Sequence, residues 1–240
     1  MTEHISRKEL KQDKVRETFE HGAEALLSHT RVASIAVLAI IVVACGYFGW
    51  KFYSERQTTQ AQTVLDEAMR IYNANIPVPG QPTLPGELTY TDPMQRAQDA
   101  QTKLAAVASQ YPRTNPGKLA RYYSALCLMD LDRLNQASEE LKKLNAGSDK
   151  ELAALAQYQT ALIAERSGKT DEAIKTLRAL STAGAVLVPK SMVLLELAGI
   201  LSHSDPKQAT TLYEQLKKDY PNTPIADQAD RGLEMLASTS

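Results

Sequence analysis

The sequence predicts an all-α protein with an N-terminal transmembrane helix followed by a solenoid of helical hairpins. Three observations support this fold class: an uncharged apolar run near the N-terminus, a repeat of apolar positions beyond it, and a composition rich in Ala and Leu with only 6% aromatic residues. Such a composition favours helices over a core built from strands. The 240 residues carry 27 Lys and Arg against 28 Asp and Glu, and this balance argues against nucleic-acid binding.

The first element is an apolar run of 19 residues at 32–50 that contains no charged side chain. As a helix it would be about 28 Å long, close to the roughly 30 Å hydrocarbon core of a bilayer. Tyr47, Trp50 and Phe52 surround Lys51 at its end, as expected where a helix leaves the membrane. The pattern predicts a single-pass transmembrane helix over residues 32–53.

The charges on either side of this run predict its orientation. Residues 1–31 contain six Lys or Arg, and residues 51–70 contain three. The excess favours a cytoplasmic N-terminal tail, with residues 54–240 on the opposite side of the membrane.

A cleaved lipoprotein signal is the alternative, because the small residues before Cys45 are typical of a lipid-modified cysteine. Two features favour an uncleaved anchor instead. The apolar run continues for five residues beyond Cys45, and six acidic residues precede it, unlike a short basic leader.

The second element is a repeat with an offset of 36 residues, found by comparing 122–144 with 158–180. Tyr122 aligns with Tyr158. A third copy, which is more diverged, follows at the same offset. The aligned positions are Ala125 with Ala161, Ala137 with Ala173 and Ala209, Leu141 with Leu177 and Tyr213, and Leu144 with Leu180 and Leu216. A fourth, more distant copy ends at Tyr111-Pro112, which matches Tyr220-Pro221. A period of this size indicates stacked helical hairpins. We place the turns within hairpins at 132–133, 168–169 and 204–205.

This pattern resembles the tetratricopeptide repeat, which has a small residue in its first helix, an alanine in its second and a large apolar residue four positions later. Ala161, Ala173 and Leu177 match this spacing, as do the equivalent residues of the preceding copy. The resemblance implies a protein-binding solenoid.

The chain therefore divides into four predicted segments. These are a cytoplasmic tail (1–31), a transmembrane helix (32–53), a juxtamembrane helix with a Pro-rich loop (54–92), and a repeat domain (93–240) that ends in a capping helix near 223–236. The helix after the membrane is expected to continue the transmembrane helix outward. Helix cannot persist through 76–93, which holds five of the eleven prolines.

The sequence offers no catalytic, metal-binding or cofactor-binding motif. The Ser-Gly-Lys-Thr run at 167–170 ends like a phosphate-binding loop but lacks the earlier glycine, and its place in the repeat predicts a turn between helices. Cys127 lies among apolar residues, which favours a core thiol. We therefore expect a binding protein with protein partners, not an enzyme, and no small-molecule substrate.

The order of elements and the juxtamembrane run Gly-Trp-Lys-Phe-Tyr at 49–53, with Gln57 nearby, resemble the YfgM family, ancillary subunits of the bacterial SecYEG translocon. The resemblance implies a location in the inner membrane with a periplasmic repeat domain, and a role in passing exported chains to periplasmic chaperones. The Tyr-Pro-x-Thr motifs also resemble repeats in the assembly lipoprotein BamD and the cell-division coordinator CpoB. An envelope assembly or cell-division adaptor of that type, with a lipid on Cys45, is the alternative.

A partner-binding surface is expected on the first helices of successive hairpins, which line the concave face of such arrays. The repeat register places residues of two neighbouring hairpins side by side there: Tyr122, Leu126, Met129, Tyr158, Leu162, Glu165 and Arg166. Tyrosines one repeat apart would supply rigid contact area, and the charged pair would select the partner.

Overall fold

A computed structural model of the protein describes residues 30–77, 86–147 and 149–239. Within these ranges the chain forms helices only, apart from one isolated bridge between Asn75 and Thr89. The helices are α1 (Thr30–Tyr72), α2 (Pro93–Gln110), α3 (Asn115–Asp130), α4 (Leu134–Asn145), α5 (Lys150–Arg166), α6 (Thr170–Ala183), α7 (Lys190–Ser204), α8 (Pro206–Asp219) and α9 (Pro224–Thr239). This confirms the predicted all-α class. The tail before residue 30 lies outside the described residues.

Two compact units make up the chain, one over residues 1–56 and the other over 57–240. The described part of the first unit is the N-terminal portion of α1. Its apolar side chains are exposed along the helix, and Ile35, Phe48 and Trp50 are each about two thirds accessible. Of the helices described, α1 alone is long and apolar enough to cross a membrane. The helix continues past residue 53 as predicted.

Beyond residue 56 the helices alternate as first and second members of hairpins. α3 pairs with α4, α5 with α6 and α7 with α8, and each hairpin contacts the next. The turns fall where the sequence placed them. Asp132 and Gly168, one repeat apart, both adopt left-handed backbone with φ of 56° and 73°, which ends one helix and redirects the chain into the next.

Small residues lie where the two helices of a hairpin cross. Ala125 and Ala137 are fully buried in one hairpin, and Ala161 and Ala173 in the next. Leu141 and Leu177, the large apolar residues of the second helices, are also fully buried, and Tyr213, which aligns with them in the third copy, is 6% exposed. The predicted repeat register is therefore confirmed at its key positions. Without a side chain larger than a methyl group, the helices approach closely and bury the leucines between them.

The first hairpin was only partly visible in the sequence. It consists of residues 57–72 of α1 together with α2, because Ala61, Leu65 and Ala68 share a core with Ala100 and Leu104. The repeat domain thus begins at residue 57 rather than at the predicted boundary of 93. What had looked like a juxtamembrane segment is the first helix of the array.

The Pro-rich insert interrupts this first hairpin and is closed at its base. The Tyr90 amide donates to the Asn75 carbonyl over 2.9 Å, and the Arg96 guanidinium donates to the Ala74 carbonyl over 3.2 Å. The Tyr90 hydroxyl donates to the Asp99 carboxylate at 3.1 Å. These bonds return the chain to α2 although the insert is long; residues 78–85 at its centre lie outside the described part.

The two Tyr-Pro-x-Thr motifs form matching turns at the ends of α2 and α8. In the first, the Thr114 hydroxyl donates to the Tyr111 carbonyl (3.0 Å) and accepts from the Gly117 amide (3.1 Å). Thr223 makes the same two bonds, to Tyr220 and Ala226. Each threonine therefore joins the end of one helix to the beginning of the next.

α9 covers the last hairpin and matches the predicted capping helix. Ala229 is fully buried against the core that includes Tyr213, whereas Asp227 and Gln228 are exposed. Lys217 of α8 forms an ion pair with Asp230. A helix with one apolar and one polar face is what the end of a solenoid needs.

Candidate functional site

The first helices of the hairpins carry a continuous surface that we call the first-helix face. Its side chains are spaced three or four residues apart, so that they lie on one side of each helix. They are partly buried or exposed, unlike their neighbours in the core. The face consists of Leu119, Tyr123, Leu126 and Asp130 on α3, Leu155, Gln159, Leu162, Glu165 and Arg166 on α5, and Met192, Leu195 and Glu196 on α7.

The structure brings the predicted residues of two hairpins together. The Gln159 amide donates to the Tyr122 hydroxyl over 3.1 Å. The Arg166 guanidinium donates to the Met129 carbonyl at 3.2 Å and to the Asp132 carboxylate at 3.0 Å. α3 and α5 are therefore neighbours at the positions that the repeat register assigned.

The exposure of the predicted residues is uneven. Tyr122, Met129 and Tyr158 are each only 8% exposed and belong to the core. Leu126 and Leu162 are half-buried, and Glu165 and Arg166 are exposed.

The expectation of tyrosine rings exposed for contact thus does not match the structure. Tyr122 points into the core because it lies one residue, or about 100° of helix rotation, from the partly buried position of Tyr123. Partner binding by this region stays a prediction.

A cluster of tyrosines lies where the first helix of the first hairpin (residues 57–72 of α1) meets the first helix of the second hairpin (α3). The ring of Tyr123 is 5.1 Å from that of Tyr72 and 5.5 Å from that of Tyr122, measured between centroids. Burial raises the pKa of Tyr72 and of Tyr158 to about 12, and it also raises the pKa of Tyr122. The hydroxyls of Tyr72 and Tyr122 therefore stay protonated, so these two members of the cluster are neutral aromatic side chains. The repeat pattern in the sequence does not extend to Tyr72, because the insert at 76–93 separates its helix from the rest of the array.

The charged side chains of the face are mostly acidic. Burial raises the pKa of Glu196, and the nearby Glu165 carboxylate raises it further. Burial also raises the pKa of Asp130, against the opposing effect of Arg96 and Arg166. In the described part of the chain, no ion pair includes Glu165 or Glu196. The face can therefore make apolar and aromatic contacts and offers carboxylates at its edge.

Groups that could suggest catalysis have structural roles. The Cys127 thiol is buried, and burial raises its pKa to about 12, so that it stays protonated rather than acting as a nucleophile. The Gly168 amide donates to the Glu165 carbonyl and the Lys169 amide to the Ala164 carbonyl. The run at 167–170 is thus the turn between α5 and α6, as predicted.

Comparison with known families agrees with this geometry. A family model described as a tetratricopeptide repeat-like domain matches residues 30–185, which is more than half of the chain. A tetratricopeptide repeat model matches residues 192–223, which cover most of α7 and α8. No curated protein and no solved structure matches the chain. Tetratricopeptide repeats serve as protein-interaction scaffolds. The chain belongs to the tetratricopeptide repeat-like domain family.

Proposed function

We propose that this protein is a membrane-anchored interaction scaffold of the bacterial inner membrane that is ancillary to the Sec translocon and links exported chains to periplasmic chaperones. One observation carries the proposal: a single continuous helix joins an exposed apolar segment to the first hairpin of a protein-binding array. Soluble proteins rarely expose apolar surface on this scale. A lipid bilayer would cover it.

The residues at the end of the apolar segment support a membrane interface there. The Arg56 guanidinium lies 4.4 Å from the centre of the Phe52 ring, and the Lys51 ammonium is 3.9 Å from the Glu55 carboxylate. Aromatic and basic side chains favour the headgroup region. We assign the N-terminal tail to the cytoplasm and residues 54–240 to the periplasm, on the excess of basic residues before the span.

The role beside the translocon rests on the resemblance to the YfgM family in the juxtamembrane run at 49–53 and in the order of the elements. The first-helix face would hold the partner. Its half-buried leucines provide apolar contact, and Glu165, Arg166 and Glu196 at the edge would select among partners by charge.

Protease protection and intact mass test the anchor. We expect an uncleaved chain whose repeat domain is digested once the protease reaches the periplasm, while the tail stays protected. A mature chain that begins at a lipidated Cys45 would support the adaptor alternative of the BamD and CpoB type. A repeat domain that is accessible only from the cytoplasm would refute the assigned orientation.

Crosslinking in intact cells, followed by purification from solubilised membranes, tests the partner. Recovery of translocon subunits and periplasmic chaperones is the expected result. Recovery of outer-membrane assembly or cell-division proteins in their place would favour the adaptor alternative. The matched control is the same chain with its apolar segment replaced by an unrelated transmembrane helix, which separates contacts made by the span from those of the repeat domain.

A further inference from the structure

A groove of about 700 Å³ lies between the second helices α2 and α4, with α3 beneath them. Its volume is within the range of ordinary ligand-binding pockets. Small side chains make room for it: Ala105 and Ala108 on α2 and Ser124 on α3. None of its lining residues belongs to the first-helix face, so the two surfaces are separate.

The charges that line the groove are paired within the protein. Arg121 forms an ion pair with Glu140 and also donates to the Ala108 carbonyl at 3.2 Å. The Lys143 ammonium is 2.7 Å from the other oxygen of the Glu140 carboxylate. Glu139 is bonded to Lys142 at 2.8 Å. A charged ligand would find no unpaired countercharge here.

Two side-chain amides in the groove have hydrogen-bonding capacity to spare. Gln101 on α2 and Gln136 on α4 line the groove, and within the described residues neither amide bonds another protein group. Each amide can donate two hydrogen bonds and accept two more. An extended backbone offers both donors and acceptors, whereas a helix has already paired its own.

We propose that this groove binds an extended, uncharged segment of a partner protein through its backbone, with the amides of Gln101 and Gln136 holding that backbone. The small side chains at its base leave space for small side chains of the segment. The proposal rests on the proposed scaffold function and adds a second binding surface to it, with a partner of stated chemistry.

The test uses the full chain in nanodiscs and an array of decapeptides composed of Ala, Ser, Asn and Val. The tightest peptide and its backbone N-methylated copy are then titrated by fluorescence anisotropy. N-methylation removes backbone donors while keeping every side chain. We expect about a tenfold or greater loss of affinity, which corresponds to about 1.4 kcal/mol.

Two variants test the groove itself. Ala105→Leu fills it, and the double variant Gln101→Ala with Gln136→Ala removes the amides; each should also weaken binding about tenfold or more. The matched controls are Ala179→Leu and Gln228→Ala, at exposed positions of α6 and α9 outside the groove, and these should bind like the wild type. If Ala105→Leu lowers the melting temperature, the double variant decides, since its two side chains bond no other described group.

Each other outcome overturns the proposal. The outcomes are no array peptide with a Kd below about 1 mM, equal binding of the N-methylated copy, unchanged binding by the variants, or self-association of the protein that Ala105→Leu abolishes. The last result would make a second copy the occupant. Recovery of cellular partners is measured separately, so failure of this groove proposal can be told apart from failure of the scaffold function.

Discussion

At the scale of single residues, the fold depends on alanines at helix crossings. Ala173 on α6 is fully buried in the same core as Ala161 and Leu177. A larger side chain at residue 173 has no space to enter without separating the helices. This makes the position a direct test of the repeat register.

Ala173→Leu should destabilise the repeat unit by about 1–3 kcal/mol, because overpacking forces neighbouring side chains and backbone to shift. Urea unfolding of residues 57–240, followed by circular dichroism, measures the change. Ala179→Leu is the control, since residue 179 is exposed on the same helix and should change stability little. Equal stability of the two variants would mean that the assigned register is wrong.

A second residue-scale prediction concerns Glu196, whose pKa is raised by burial and by the Glu165 carboxylate. A raised carboxyl pKa means that the folded state holds the proton more tightly than the unfolded chain. Ionisation therefore destabilises the fold at neutral pH, and this cost disappears as the pH falls from the raised pKa to the unfolded value. Glu196→Gln should raise the melting temperature at pH 7.

The pH dependence distinguishes a gain in stability that comes from removing the Glu196 charge from a gain that has another cause. The gain from Glu196→Gln should shrink as the solution is acidified and vanish below the ordinary pKa range of glutamate. Glu214→Gln, at an exposed position of α8, is the control and should show no such pH-dependent gain. A gain of the same size at every pH would show that ionisation of Glu196 is not its cause.

At the scale of elements, the turn between α2 and α3 is the most constrained. A Cβ atom on Gly117 would lie 1.8 Å from the backbone oxygen of Tyr111, the same oxygen that accepts from Thr114. Neither group can move without breaking the turn. The glycine is thus required by a close approach of two backbones.

Gly117→Ala should cost about 1–3 kcal/mol of unfolding free energy, because the substituted turn must open. Gly199→Ala is the matched control: it lies within α7, and its added Cβ would be 4.0 Å from the nearest atom, the Tyr213 hydroxyl. That change should stabilise the helix by up to about 1 kcal/mol. Thermal unfolding of both variants checks the contrast, and a stable Gly117→Ala variant would refute the close approach.

The sequence predicted those elements whose signals are local and periodic. The 36-residue offset located the turns at 132–133 and 168–169, because left-handed or capping residues recur there. For the first hairpin it located only the end of α2, at Tyr111-Pro112. The insert separates residues 57–72 from α2, and the bonds that close it, such as that from Arg96 to the Ala74 carbonyl, join groups far apart in sequence.

The sequence predicted that the first helices α3 and α5 lie side by side, but it did not predict which of their side chains are exposed. Tyr122 and Tyr123 are adjacent and chemically alike, so the sequence cannot tell which ring faces the core. The choice depends on the rotation of α3 against α5, which the bond between Gln159 and Tyr122 reflects. The acidic character of the face was not predicted for a similar reason. The pKa of Glu196 is raised because the fold buries its carboxyl near Glu165, and no local sequence pattern marks that placement.

At the scale of the whole molecule, the chain divides into two units. The first, over 1–56, contains the candidate membrane span, and the second, over 57–240, contains the repeats. Core clusters overlap from hairpin to hairpin, since Leu155 and Leu162 pack against two of them. This arrangement spreads stability along the array and leaves the first-helix face available for binding.

Site-specific photocrosslinking in living cells tests the central claim, which is that the first-helix face is the protein-binding surface of a scaffold. A photoreactive amino acid is placed at position 126 or 162 on the face, and at position 179 or 228 as exposed controls. We predict that the face positions crosslink to a partner protein and that the controls do not. Crosslinks of equal yield from the controls, or none from either face position, would contradict the account.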